Sequence, residues 1–230
     1  MNAIIKGVDI CRQFPSGNKK IQVLNNVNVD FEEKTLTVLK GRSGSGKTTL
    51  MNILGTLDRP TSGRVFAFGE DITDLSEGKL DEIRKNNVSF VFQSVALMGT
   101  MSAYENVEFM LRIAKKPMDK ERILHCLDLV GLSNRVYHMP YQLSGGEQQR
   151  VAIARAIVHR PKVIFADEPT AQLDSETSKV IMNMFHRIIE EEGVTVIMTT
   201  HDQNMMELAD KVYTLDDGKI VSYVDNREGR

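Results

Sequence analysis

Apolar and polar residues follow two different rhythms along this chain, and the first of them predicts strands. Residues 4 to 10 and 21 to 31 alternate between the two classes, and Pro15-Ser16-Gly17-Asn18 between them predicts a turn. Continuous apolar runs predict buried strands at four further places: Leu36 to Lys40, Val88 to Phe92, Val163 to Ala166 and Val194 to Met198. Runs of this kind are typical of a parallel sheet that is covered by helices on both faces.

Helical patterns occupy most of the chain between residues 94 and 160. Ser102 and Glu105 are spaced as a capping box, and the helix that they begin ends before Pro117. Asp119 can cap a second helix, which ends near Gly131. Together these patterns predict a helical insertion at about residues 94–158.

Another helix and a hairpin are predicted near the end of the chain. The helix begins at Ser175 and stops at Gly193. Its apolar stripe consists of Val180, Ile181, Met184 and Ile188. Asp217-Gly218 predicts the turn of a hairpin between residues 212–215 and 220–224. The pattern as a whole predicts one α/β domain over residues 1–230, interrupted by the helical insertion.

Composition and charge narrow the class of protein. Of the 230 residues, 41% are hydrophobic and 26% are charged, which predicts a globular protein with a sizeable core. The net charge of -2 gives no electrostatic argument for nucleic-acid binding, so we expect no nucleic-acid partner. No apolar run approaches the roughly 20 residues that span a bilayer, and MNAIIKGVDI lacks the apolar core of a signal peptide. Cys11 and Cys126 stand in no metal or redox spacing, which favours structural thiols in a reducing cytoplasm.

The strongest chemical signal is GRSGSGKT, which matches the phosphate-binding P-loop pattern in full. Glycines let the backbone curl so that its N–H groups point at phosphate oxygens. Lys47 supplies a positive charge for the β and γ phosphates, Thr48 supplies a hydroxyl for Mg²⁺, and the following helix supplies its positive N-terminal end. The predicted nucleotide-binding set is Gly41, Arg42, Ser43, Gly44, Ser45, Gly46, Lys47, Thr48 and Thr49.

Polar residues at the ends of three predicted strands add candidate catalytic groups. In VIFADE, at residues 163 to 168, we assign Asp167 to Mg²⁺ and Glu168 to the general base that activates water. Gln93 follows its strand where it could reach the metal or the water, and His201 follows another strand where it could contact a γ-phosphate. A polar residue at the end of a strand is ordinary by itself. These roles are favoured because the same chain contains a P-loop. The candidate catalytic residues are then Glu168, His201 and Lys47, and the candidate metal ligands are Thr48, Gln93 and Asp167.

The stretch LSGGEQQR, at residues 143 to 150, is open to two interpretations. Ser144 and Glu147 are spaced as a capping box, so the stretch could simply begin a helix. Two adjacent glycines in a first turn, however, cost roughly 1 kcal/mol each relative to alanine, which suggests that bare backbone is needed at a close contact. A serine hydroxyl, open N–H groups and a helix N-terminus would make a second phosphate-binding site.

The ordered set of motifs resembles the ATP-binding cassette of ABC transporters. The set comprises GRSGSGKT, Gln93, LSGGEQQR, VIFADE, the AQLD stretch at 171 to 174, and His201, and it covers nearly the whole chain. The resemblance implies a RecA-like P-loop NTPase core with a mainly parallel sheet, an N-terminal antiparallel β subdomain and an inserted α-helical subdomain. It also implies an ATPase that uses ATP and Mg²⁺ and couples hydrolysis to transport.

The resemblance further implies partners and roles for individual residues. Two copies would pair head to tail as a homodimer, so that each ATP lies between the P-loop of one and LSGGE of the other. The residues that would bind ATP in trans are Ser144, Gly145, Gly146, Glu147 and Asp174. Phe14 matches an aromatic residue that stacks on adenine, although it could also be a core residue beside a turn. The helical insertion would face a separate integral membrane permease, which would hold the chain at the cytoplasmic face of the cell membrane.

Several motifs are most similar to one branch of that family. FVFQ, GRSGSGKTTLMNILGTLDRPTSGRV and LSGGEQQRVAIARAI look like the branch that serves macrolide exporters, lipoprotein-releasing complexes and antimicrobial-peptide transporters. Export or extraction of an amphipathic substrate is therefore the favoured function. Two alternatives stay open. One is a soluble ATPase of the DNA-repair type, which would normally carry a long coiled coil between its ATP motifs. The other is a nucleotide-gated signalling cassette of the cell-division type with slow turnover.

Overall fold

The computed structural model describes residues 3–17, 19–171 and 173–229. Asn18 of the predicted turn and Gln172 of the AQLD stretch lie outside the described residues, as do Met1, Asn2 and Arg230. The strands are β1 (Ala3–Ser16), β2 (Lys19–Glu32), β3 (Leu36–Lys40), β4 (Ser62–Ala67), β5 (Glu70–Asp71), β6 (Val88–Val91), β7 (Val163–Ala166), β8 (Thr195–Thr200), β9 (Lys211–Asp216) and β10 (Lys219–Asp225). The helices are α1 (Lys47–Leu54), α2 (Glu77–Asn87), α3 (Ala103–Ile113), α4 (Lys120–Leu129), α5 (Gly145–Ile157), α6 (Ser175–Glu192) and α7 (Gln203–Met206), with short 3-10 helices at Pro140–Gln142 and Asn226–Gly229.

The chain divides into two compact units. The first takes Met1–Arg84 and Ile197–Arg230, and the second takes Lys85–Val196. The boundary between them falls within β8, and the helical segment from α3 to α5 lies inside the second unit. The P-loop and His201 therefore belong to the first unit, whereas Gln93 and the VIFADE and LSGGE stretches belong to the second.

The first unit contains an antiparallel sheet and part of a mixed one. The antiparallel sheet has the strand order β2-β1-β4-β5, which confirms the predicted N-terminal β subdomain. The mixed sheet has the order β10-β9-β3-β8 here, with β3 and β9 parallel and β9 and β10 antiparallel. Fully buried side chains such as Ile5, Phe31 and Leu39 form the core of this unit. The carboxyl end of β3 leads directly into the P-loop.

The second unit combines parallel strands with helices. β6 pairs in parallel with β7, from Val88 opposite Val163 to Val91 opposite Ala166. The helices α3 and α4 both pack against α5, and α4 also contacts α6. Buried residues on these elements include Val107, Ile123, Ile153 and Phe185. Continuous apolar β-strands with helical cover are what the sequence pattern predicted for the α/β fold.

Local capping chemistry explains where these helices begin and end. Ser102 N donates to Glu105 Oε2 (2.7 Å) and Glu105 N donates to Ser102 Oγ (3.3 Å), so the predicted capping box begins α3. Asp119 accepts from the backbone N–H of the third residue of α4, as a predicted cap should. Gly193 ends α6 with φ of 66°, a left-handed conformation that glycine adopts without steric cost.

The structure also corrects details of the sequence-based prediction. β1 and β2 are longer than the predicted strands at residues 4 to 10 and 21 to 31. Their pairing extends into the predicted turn, to Ser16 opposite Lys19. In the apolar stripe of α6, Val180 is 49% exposed, whereas Ile181, Met184 and Ile188 are buried. The sequence pattern did not predict α2, because its buried contribution consists of Leu80 and the rest of the helix is polar.

Candidate active site

The P-loop wraps around the side chain of its own lysine. Lys47 Nζ donates to the carbonyl oxygens of Gly41 (2.8 Å) and Arg42 (3.0 Å), and Lys47 is only 6% exposed. An ammonium group has three N–H donors, so these bonds leave one that can be directed at a phosphate oxygen. Gly46 has φ of 103°, a conformation that side chains rarely allow, and its carbonyl accepts the first helical bond of α1 from Leu50 N (2.8 Å).

The outer part of the same loop is open to solvent. Ser43, Gly44 and Thr48 are exposed, and Thr49 is half-buried in the first turn of α1. The first four N–H groups of a helix have no intrahelical partner, and the helix dipole makes that end positive. The first unit therefore presents open backbone donors, a helix N-terminus and a fixed lysine at one place, which is the equipment for holding phosphates.

The β9–β10 hairpin supports the P-loop, and no sequence motif predicted this. Gly218 N donates to the carbonyl oxygen of Ser45 (3.1 Å), and the Gly218 carbonyl accepts from Asn25 N (2.8 Å). A Cβ atom at Gly41 would lie 2.3 Å from the carbonyl oxygen of Leu215, so only glycine permits this approach of β9. The shape of the loop therefore depends on a hairpin at the other end of the chain.

Phe14 and His201 are the other predicted site residues of the first unit. Phe14 is half-buried on β1, opposite Ile21 of β2. The guanidinium carbon of Arg12 lies 4.4 Å from the centre of the Phe14 ring, so a cation covers one face of that ring. His201 directly follows β8 and is exposed. Contact of either residue with a nucleotide stays a prediction.

Gln93, Asp167 and Glu168 follow the carboxyl ends of β6 and β7 in the second unit. Val91 lies opposite Ala166 at the end of this strand pair, and Asp167 N donates to the Val91 carbonyl (2.8 Å). Gln93 stands two residues beyond Val91 and is exposed, while Asp167 is half-buried. A carboxylate and an amide oxygen at one sheet edge are the hard oxygen donors that suit Mg²⁺.

Glu168 has an unusual backbone conformation. Its φ is 45°, in the left-handed region where residues other than glycine are uncommon. The Glu168 carbonyl accepts from Ala171 N (3.2 Å), so the chain turns directly after β7. Such a conformation costs on the order of 1–3 kcal/mol. Nine other non-glycine residues of the described chain also have a positive φ, so the conformation fixes the turn after β7 but does not by itself assign a role to Glu168.

The LSGGEQQR stretch folds as a capped start of α5. Glu147 N donates to Ser144 Oγ (3.3 Å), and Ser144 N donates to Glu147 Oε2 (2.8 Å). The Ser144 backbone N–H is the main reason that the pKa of Glu147 lies below its usual range. A hydroxyl that accepts one bond can still donate its own proton. The Ser144 side chain also hydrogen-bonds the Glu147 carboxylate and lowers its pKa, so a phosphate would compete with that carboxylate for the hydroxyl proton.

A second helix N-terminus lies in the same cleft as the start of α5. The cleft has a volume of about 600 Å³ and is lined by Ser144, Glu147, Asp174, Thr177 and Val180, among others. Asp174 caps α6 by accepting from Thr177 N (2.9 Å) and Thr177 Oγ1 (2.7 Å). The backbone bond from Thr177 is the largest of the causes that lower the pKa of Asp174. The predicted trans residues of LSGGE and AQLD are thus brought together, between two positive helix ends.

The two glycines of this stretch differ in their surroundings. A Cβ atom at Gly146 would lie 2.8 Å from Thr177 Cγ2, so packing of α5 against α6 requires glycine there. A Cβ atom at Gly145 would meet no atom of the described residues within 4 Å. Packing within the chain therefore explains Gly146 but not Gly145, and the empty space in front of Gly145 is available for a ligand.

Arg135 is a residue of this region that the sequence motifs did not indicate. Its Nε lies 3.2 Å from Glu147 Oε1, and the Arg135 side chain is 47% exposed. Arg135 lies in the segment between α4 and α5, outside every motif of the sequence. A basic residue in such a segment carries no pattern that could have linked it to Glu147.

Comparison with known proteins finds relatives that are ATP-binding proteins of ABC transporters. The family model described as ABC transporter matches residues 24–171. The lipoprotein-releasing system ATP-binding protein LolD of Bdellovibrio bacteriovorus is 41% identical over 217 residues, which is 94% of this chain and 99% of that protein. The macrolide export ATP-binding/permease protein MacB of Vibrio parahaemolyticus is 40% identical over 223 residues. That match covers 96% of this chain and 34% of MacB, so the chain spans about a third of that relative.

A solved structure supports the same grouping. The dimeric, post-hydrolysis state of the ATP-binding cassette MJ0796, bound to ADP and Pi, matches with a TM-score of 0.88 and 38% identity. The match covers 97% of this chain and 99% of that one. Within the part of the chain that the structure describes, no helix is both long and apolar enough to cross a membrane.

Proposed function

This chain belongs to the ABC transporter family as an ATP-binding, ATP-hydrolysing subunit, and we propose that two copies of it share two ATP molecules. The P-loop of one copy would hold the phosphates, and the cleft at Ser144 of the other copy would close over them. The observation that carries the proposal is the unfilled space at Gly145, in a cleft formed by two helix N-termini. The dimeric state of MJ0796 bound to ADP and Pi also supports this arrangement.

Thr48, Gln93 and Asp167 would hold Mg²⁺ beside the phosphates. Their hydroxyl, amide and carboxylate oxygens are the hard donors that this ion prefers, which is why the set fits. When bound, Mg²⁺ neutralises negative charge on the phosphate oxygens. Asp167 suits this role because its backbone is fixed by the bond from Asp167 N to the Val91 carbonyl.

The chemistry at the phosphate would be carried by Glu168, Lys47, His201 and the Ser144 hydroxyl of the other copy. Glu168 would accept a proton from the attacking water, and its turn directly after β7 keeps the carboxylate on a constrained backbone. Lys47 and the Ser144 hydroxyl of the other copy would stabilise charge that develops on the transferring phosphoryl group. His201 would contact a γ-phosphate oxygen. Phe14 would stack on adenine through the ring face that Arg12 does not cover.

A separate integral membrane permease would be the partner of this dimer. The names of LolD and MacB support a transport role in export or lipoprotein release, and we propose an amphipathic substrate for this chain as well. The helical segment from α3 to α5 would contact the permease at the cytoplasmic face of the cell membrane. Release of hydrolysis products would reopen the dimer, and this motion would be passed to the permease.

The test is ATP hydrolysis by the purified chain, measured as a function of protein concentration. A shared site predicts a rate that rises faster than linearly with concentration, because two copies must meet. Glu168→Gln should abolish turnover and accumulate a dimer on size-exclusion chromatography in ATP. Ser144→Ala should reduce the rate without changing ATP binding to the monomer.

The opposite outcome is equally clear. A rate linear in protein concentration, from a chain that stays monomeric in ATP and tolerates Ser144→Ala, would exclude the shared site. The LSGGE stretch would then act only as a helix cap.

A further inference from the structure

The cleft at Ser144, which would receive the phosphates of the other copy's ATP, is lined by several acidic side chains. Negative charge of this kind disfavours the binding of an anion. Three carboxylates line it, those of Glu147, Asp174 and Glu176, and a triphosphate would have to approach them. The cation in this lining is Arg150, whose guanidinium donates to the Val130 carbonyl (3.3 Å). Asp174 is occupied with capping α6. Glu147 is the one located in the first turn of α5, next to the N–H groups that would receive a phosphate.

The two oxygens of Glu147 have different partners. Oε2 accepts from the Ser144 N–H (2.8 Å), and Oε1 lies 3.2 Å from Arg135 Nε. The first contact directs the carboxylate to the N-terminal end of α5, and the second places a guanidinium on its other side. Arg135 is therefore the ion-pair partner of Oε1 in the described residues.

The segment that carries Arg135 is anchored to another helix. Ala103 N donates to the His138 carbonyl (2.8 Å), and Tyr104 N donates to the Val136 carbonyl (2.8 Å). These donors belong to the first turn of α3, whose N–H groups have no intrahelical partners. Val136, next to Arg135, is buried. Arg135 is therefore held beside Glu147 by its backbone, although its side chain is half exposed.

We propose that Arg135 is a positioning residue for nucleotide binding in trans: it balances the charge of Glu147 and holds that carboxylate on the Ser144 N–H, which leaves the first turn of α5 receptive to phosphate. The inference rests on the proposed shared site. An exposed ion pair of this type adds little to folding stability, so Arg135 variants should still fold. The effect on binding should resemble that of a charge at a helix N-terminus, which corresponds to about a three- to tenfold change in affinity.

The test is a double-mutant cycle on ATP-induced dimerisation. In a Glu168→Gln background, the ATP concentration that gives half-maximal dimer is measured by light scattering for the parent, Arg135→Met, Glu147→Gln and the double variant. Arg135→Met should raise that concentration about three- to tenfold at low salt, and less at high salt because charges are then screened. In the Glu147→Gln background the same change should cause no further shift, since the carboxylate that needed balancing is gone. Arg135→Lys keeps the charge and should stay within about twofold of the parent.

Two results would overturn the inference. One is an equal shift from Arg135→Met in both backgrounds, and the other is no shift in either, with thermal unfolding confirming that each variant is folded. A different result reports on the shared site itself. If the Glu168→Gln parent stays monomeric at saturating ATP, the shared site is wrong and the role of Arg135 is excluded along with it.

Discussion

Replacing Gly145 and Gly146 one at a time by alanine should separate the structural and the functional use of the LSGGE stretch. Alanine is about 0.5–1 kcal/mol more favourable than glycine within a helix. At Gly145 the added methyl group meets no described atom within 4 Å, so the melting temperature should rise by about 1–4 °C. At Gly146 the methyl group would lie 2.8 Å from Thr177 Cγ2, and such overpacking costs about 1–3 kcal/mol. The net loss for Gly146→Ala should reach about 2 kcal/mol.

Thr177 cannot simply turn away from the new methyl group of Gly146→Ala. Thr177 Oγ1 donates to Asp174 Oδ2 (2.7 Å), and rotation about χ1 would break this bond at the cap of α6. Thr177→Ser removes Cγ2 and keeps the hydroxyl. Gly146→Ala combined with Thr177→Ser should therefore recover most of the lost stability, which makes the pair a matched control for the steric argument.

The assay compares thermal unfolding without nucleotide with ATP hydrolysis at equal protein concentration. Gly145→Ala should be at least as stable as the parent and yet lose most of its hydrolysis, because its methyl group fills the space in which the partner's phosphate would lie. A Gly145→Ala variant with the parent's rate would refute the reasoning. So would a Gly145→Ala variant that is less stable than Gly146→Ala, because the packing around the two positions would then be wrong.

Three further predictions concern the P-loop and the core. Lys47→Met should weaken ATP binding about ten- to a hundredfold, the size of a lost charge-assisted bond, in a fluorescent-nucleotide titration. Burial lowers the pKa of His159 from 6.5 to about 4, so the unfolded chain takes up this proton more readily. Stability should therefore fall as the pH drops from about 6.5 towards 4, by about 2–3 kcal/mol at pH 4.5, and urea unfolding of His159→Gln should lack this loss. Arg122→Met should cost about 3 kcal/mol in thermal unfolding, because the buried guanidinium donates to the Ile157 carbonyl (2.7 Å) and to half-buried Glu192 (2.5 Å).

Each of these predictions can fail clearly. Undiminished ATP affinity for Lys47→Met would remove the lysine from the phosphate site. An equal acid sensitivity of His159→Gln and the parent would mean that other groups control stability in that pH range. A melting temperature of Arg122→Met within about 2 °C of the parent would show that this ion pair is energetically replaceable.

Local chemistry made part of this protein readable from its sequence. Capping boxes and P-loops depend on residues three to seven positions apart, so Ser102 with Glu105, Ser144 with Glu147 and the GRSGSGKT loop could be predicted and were found. The strands β3 and β7 were also predicted with their observed bounds, since a continuous apolar run next to a glycine or carboxylate stretch leaves little choice of boundary. The order of the motifs was sufficient to indicate the family.

Tertiary structure decided what surrounds those motifs. The periodicity of α6 grouped Val180 with its buried neighbours, but the path of the chain leaves Val180 exposed in the cleft at Ser144. Sequence spacing likewise could not pair Arg135 with Glu147, or the turn at Gly218 with Ser45. A repeat of 3.6 residues defines a face of a helix, while the element that covers this face depends on loop conformations and on long-range packing. The sequence thus determined the chemical groups and their local geometry, and the folded chain determined which of them meet.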